Sequence, residues 1–138
     1  MEYIDKREYK GISFCRIGND IVLFKYAPKI EIDIQAAKEL VVNRLDYTQG
    51  KPIYALIDFT NVKSVTKEAR DYMNSPEGGL RGISGGAFLS NNVVATLFVN
   101  LYLKVSNPPV PAKFFNTQKD AMEWLTKIRD EKTQTVRR

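Results

Sequence analysis

Histidine is absent from the 138 residues, and cysteine occurs once, as Cys15. Without histidine there is no imidazole general base, no Ser-His-Asp or Cys-His arrangement and no His-ligated metal. A single thiol excludes an intramolecular disulfide and every multi-cysteine zinc or iron–sulfur site. No apolar run reaches the ~18 residues that a membrane span needs. Met1-Glu2-Tyr3-Ile4-Asp5-Lys6 lacks the apolar core of a signal peptide, so a reduced, cytoplasmic setting is expected. Neither the G-x-x-x-x-G-K-[ST] loop nor the G-x-G-x-x-G spacing occurs, although Gly78, Gly79, Gly82, Gly85 and Gly86 cluster. Neither a metal nor a cofactor is expected.

What is present describes an ordinary folded domain. Hydrophobic residues make up 43% and charged residues 27%, with a net charge of +5. Residues 1–69 carry 11 basic and 10 acidic side chains; residues 70–138 carry 10 and 6. Part of the excess lies at the C-terminal end, in Lys127, Arg129, Lys132, Arg137 and Arg138. Nucleic-acid sites are denser and interleaved with aromatics, so none is expected. The division is one domain over 1–130 and a polar, basic tail over 131–138.

Two β-rich runs, Tyr9 to Ile17 and Ile21 to Tyr26, flank Gly18-Asn19-Asp20 and read as a hairpin. Asp33 caps a helix with Ala37, Leu40, Val41 and Leu45 on its apolar face and Lys38, Glu39 and Asn43 opposite, closed by Gly50. Pro52 to Phe59 reads as a buried strand, and Thr66 to Met73 as a short helix. Gly82 to Gly86 reads as a flexible connection into a strand at Ala87-Phe88-Leu89. A very apolar helix is expected over 91–105, then a strand at Lys113-Phe114-Phe115. The final helix is capped by Thr117 and striped by Ala121, Trp124, Leu125 and Ile128. After the hairpin, strands and helices alternate. The expectation is an α/β fold: a mixed, mostly parallel sheet of about five strands with four helices.

Ile57-Asp58-Phe59-Thr60-Asn61-Val62-Lys63-Ser64-Val65 resembles the hydrophobic-Asp-hydrophobic-Ser/Thr-x-Val segment of STAS domains, the anti-sigma factor antagonist fold. Lys113-Phe114-Phe115-Asn116-Thr117 with Ala121, Trp124 and Leu125 resembles the last strand and helix of the SpoIIAA-like group, related to STAS and SEC14 domains. The order of elements agrees over almost the whole chain. The resemblance implies a regulatory, protein-binding module. It departs at the phospho-acceptor: STAS switches carry Asp-Ser-Ser/Thr-Gly where this chain has Thr66, Lys67, Glu68 and Ala69. Lys67 stands in place of the phosphorylated serine; Ser64 and Thr66 remain as hydroxyls nearby.

The candidate surface for a partner or ligand comprises Asp58, Thr60, Ser64, Thr66, Lys67, Glu68 and Arg70. Each has a plainer reading: Asp58 or Thr60 as turn acceptors, and the helix start as a capped, solvated face. Asp58, Glu68, Asp71 and Glu77 lack a nucleophile or metal set, so no catalytic residue is assigned. Cys15 reads as a packed small hydrophobe. In the apolar stretch 91–105, Val94, Leu97, Phe98, Leu101 and Tyr102 are read as a homodimer surface, an apolar or lipid-like ligand site, a reversible membrane contact, or core. The leading expectation is a non-enzymatic cytoplasmic interaction module that forms a homodimer. The alternative is a small carrier or sensor of an apolar ligand beneath the 91–105 helix.

Overall fold

The structure, a computed structural model, describes residues 2–90 and 110–137. Among them are eight strands and three helices: β1 (Ile4–Tyr9), β2 (Ile12–Ile17), β3 (Ile21–Tyr26), β4 (Ile30–Ile32), α1 (Ile34–Thr48), β5 (Ile53–Asp58), β6 (Val62–Val65), α2 (Lys67–Met73), β7 (Ile83–Leu89), β8 (Ala112–Phe115) and α3 (Gln118–Arg137). The main sheet has six strands in the order β1-β2-β3-β5-β7-β8. The first three form an antiparallel meander; β3, β5, β7 and β8 run parallel. A second, two-stranded parallel sheet joins β4 to β6. The mixed, mostly parallel α/β architecture is as expected, but with six strands in the main sheet rather than about five. The fourth expected helix, over 91–105, lies outside the described residues, as do Val94, Leu97, Phe98, Leu101 and Tyr102. The backbone of α3 continues past Asp130 to Arg137, through most of the segment read as a polar, basic tail.

Strand alternation builds a core on each face of the sheet. Ile12 and Phe14 of β2, Val22 and Phe24 of β3, and Ile53 and Ala55 of β5 pack with Ala37, Leu40 and Tyr47 of α1 and Ala69 of α2. The intervening residues Cys15, Ile17, Ile21, Leu23, Tyr54 and Leu56 pack with Ala121 and Leu125 of α3. The β2–β3 hairpin forms as read, with Ile17 opposite Ile21 and Gly18 at φ +78° supplying the left-handed residue of the turn. Asp33 caps α1 by accepting from the Ala36 N–H at 2.8 Å.

The glycine-rich connection is corrected by the structure: Ile83 to Gly86 belong to β7 and pair with β5. Gly85 lies at a close approach of α3 to the strand. A Cβ there would lie 2.8 Å from Ile128 Cδ1 and 3.2 Å from Tyr54 Cδ1, so its bareness lets α3 settle on the strand. The edge strand β1 was missed because Asp5-Lys6-Arg7-Glu8 shows no apolar alternation. Its backbone pairs nonetheless, and Tyr47 of α1 holds it by donating from its hydroxyl to the Asp5 carbonyl at 2.7 Å. Charge on an exposed edge also discourages pairing with other chains.

Candidate functional site

Because β3, β5 and β7 are parallel and in register, Tyr26, Asp58 and Leu89 end at one edge of the sheet. In open α/β sheets this carboxyl edge is where ligands and partners are met. The chain leaving β5 is fixed there by backbone and side-chain bonds. The Phe59 N–H donates to the Leu89 carbonyl at 2.8 Å, and the Asn61 side-chain amide donates to the Tyr26 carbonyl at 3.1 Å. Asp58, half-buried, accepts from the Thr60 N–H at 3.1 Å. That bond closes a tight turn, so Asp58 and Thr60 serve the loop's geometry.

Beyond the turn, β6 pairs with β4 and carries Lys63 and Ser64 into solvent. Lys63 lies 3.8 Å from Glu31 across this small sheet. Thr66 then caps α2: its N–H donates to the Ile32 carbonyl, and its Oγ1 accepts from the Ala69 N–H at 3.2 Å. Lys67 is exposed and pairs with Asp71 one turn on, at 3.1 Å. Glu68 is exposed in the first turn, whereas Arg70 is half-buried. The predicted residues therefore divide. Asp58, Thr60 and Thr66 have structural duties. Ser64, Lys67 and Glu68 stand on an exposed polar corner, with Lys63 and Glu31 beside them. Among the described residues, the side chains of Ser64 and Glu68 make no hydrogen bond or ion pair.

A buried cation escaped the sequence reading. Arg44 of α1 is 3% exposed and donates from Nη1 to the Arg81 carbonyl at 2.6 Å and from Nη2 to the Gly79 carbonyl at 3.2 Å. Burial pushes its guanidinium down to about 10. The signal was available: Arg44 falls four residues after Leu40 and three after Val41, on the apolar face of the helix. The polar face read from Lys38, Glu39 and Asn43 drew attention away from it. On the other face of the sheet, burial pushes the Cys15 thiol up, in keeping with its reading as a packed hydrophobe.

An uncharacterised protein of the DUF3478 family from Shewanella loihica PV-4, described as having a SpoIIAA-like fold, superposes with a TM-score of 0.58 at 20% identity; the match covers 83% of this chain and 91% of that one. Over residues 15–129 the chain matches the family described as Domain of unknown function (DUF7793), and it belongs to that family. No curated protein matches it. Among the described residues, no helix is long and apolar enough to cross a membrane.

Proposed function

We propose that this domain is a non-enzymatic, cytoplasmic regulatory module that binds a protein partner through the corner formed by Lys63, Ser64, Lys67 and Glu68. The observation that carries the reading is the contrast within the candidate set. Asp58 and Thr66 spend side-chain oxygens, and Thr60 its backbone N–H, on the turn and the cap, and that frame presents Ser64, Lys67 and Glu68 to solvent. A preorganised polar surface at the carboxyl edge suits recognition, because its backbone loses little freedom on binding. The corner mixes Lys63 and Lys67 with Glu31 and Glu68, which favours a partner of mixed charge over a polyanion. Lys67 cannot accept phosphate, so any switch at this corner acts through Ser64, through Thr66 or through the partner. Self-association through Phe98 and Tyr102 is part of the same proposal; in sedimentation, Phe98→Glu with Tyr102→Glu should convert a dimer to a folded monomer.

Affinity capture tests the corner. The full chain and the double variant Ser64→Trp, Lys67→Glu are used as baits. A protein enriched by the first and lost with the second, and then bound by the purified wild type, is the expected result. Equal capture by both baits would reject the corner. Turnover in a broad hydrolase and transferase panel that disappears in Asp58→Asn or Glu68→Gln would reject the non-enzymatic reading.

A further inference from the structure

The outermost strand is attached with little burial. Ile4 to Glu8 of β1 are exposed and Tyr9 is half-buried. Besides the ladder to β2, side-chain hydrogen bonds fasten it at both ends. Tyr9 donates from its hydroxyl to Asp46 Oδ2 at 2.8 Å, Tyr47 reaches the Asp5 carbonyl, and the Gln118 side-chain amide donates to the Tyr3 hydroxyl at 2.6 Å. The strand it covers is opposite in character: in β2, Ile12, Phe14, Cys15 and Ile17 are all buried. A segment with few buried contacts opens at low cost, and the bared β2 edge is then a template for another strand.

That edge fits a particular strand. The register slips between Ile4, opposite Arg16, and Arg7, opposite Phe14, with Asp5 at φ +52°. A replacement must repeat this bulge and offer a carbonyl to Tyr47 and a hydroxyl to Asp46. β1 of a second copy does all three. The turn between the strands is Lys10-Gly11 alone. Tyr9 faces Ile12 and Glu8 faces Ser13. The same register carried one step further sets Lys10 of one copy opposite Gly11 of another, in a continuous antiparallel ribbon. Such pairing is self-complementary about a two-fold axis and puts the two Lys10 side chains on opposite faces. The closed turn, by contrast, depends on Gly11, which holds φ +81°; a Cβ there would lie 3.0 Å from Ile30 Cδ1. We propose that two copies of this chain exchange β1, each opening at Lys10-Gly11 and laying its first strand on the other's β2. The exchange uses the inner edge of β1 and leaves its charged outer edge unpaired. Ile12 pairs with Tyr26 at the carboxyl edge, so the exchanged pair is joined there and presents the proposed partner surface twice. The exchange rests neither on that surface nor on Phe98 and Tyr102, so each proposal can fail alone.

Two full-length chains, both with Cys15→Ala, test it: one carries Glu8→Cys and the other Ser13→Cys. They are refolded together over a range of concentrations and then oxidised. Positions 8 and 13 face each other in the ladder, within reach of a disulfide, so an interchain bond between them reports exchange rather than another dimer. With Gly11 kept, the interchain share should rise with protein concentration. Gly11→Val in both chains strains the closed turn and suits an extended one. It should lower the concentration of half-exchange at least about tenfold, because two left-handed residues are relieved in each pair. If Gly11→Val does not fold by circular dichroism, Gly11→Ala carries the test in the same direction. An interchain share that neither substitution at Gly11 raises, or no interchain disulfide in any mixture, would overturn the proposal.

Discussion

Tyr47 joins three parts of the fold. Its ring stacks on Phe14 at 5.3 Å, with the guanidinium groups of Arg7 and Arg16 over it at 5.6 and 5.3 Å, and its hydroxyl reaches the backbone of β1. Burial first, and then the charge of Asp5, pushes its phenol from 10.0 up to about 12. The folded chain therefore holds this proton at a pH where the unfolded chain has lost it. The resulting stability is fully present below pH 10.0 and is lost as the pH rises toward about 12. Arg44 acts oppositely: burial lowers its guanidinium from its ordinary value to about 10, so its burial penalty is relieved as the pH climbs past that value. Urea titrations of wild type and Tyr47→Phe from pH 9 upward separate the two. The variant should lose less stability than wild type across the alkaline window; parallel losses would show that Tyr47 does not titrate as described. Cys15, 8% exposed with its thiol pushed up by burial, should react with a disulfide reagent on the order of a hundredfold more slowly in the native than in the denatured chain. Equal rates in the two states would contradict its place in the core.

The elements most legible in the sequence were those with a strong apolar period and a chemical signal at the end. Helix α1 had Asp33 in front of it and Ala37, Leu40 and Val41 along it; α3 had Thr117, whose Oγ1 accepts from the Asp120 N–H at 3.2 Å. The short strands β4 and β6, three and four residues long, gave too few alternations to register. They exist because the loop after β5 lays Val62 and Val65 beside Ile30 and Ile32. β7 was half legible. Glycines lower strand propensity, and only the packing of α3 against Gly85 shows why they stand there. The candidate site was legible as a stretch of chain but not as a division of labour, because caps and turns use the same residue types as binding surfaces. Thr66→Ala removes the α2 cap and should cost about 1 kcal/mol in urea denaturation. Thr66→Ser should restore most of it. An unchanged midpoint in Thr66→Ala would show that the cap does not stabilise α2.

At the scale of the whole molecule, the central strands hold the two cores together, and the proposed partner surface lies at their carboxyl edge. Leu56, fully buried in β5 between β3 and β7, should cost about 2–5 kcal/mol on change to Ala, measured by denaturation. A loss below about 1 kcal/mol would mean that the α3 face is loosely packed. β5 also separates two exposed positions: Lys51 precedes it at the amino edge, and Ser64 follows it at the carboxyl edge. A photo-crosslinking residue placed at Ser64 in one variant and at Lys51 in another tests the proposed surface directly in cells. The account predicts a discrete protein adduct at position 64 and none at 51. An adduct at 51 alone, equal labelling at both, or none at either would contradict it.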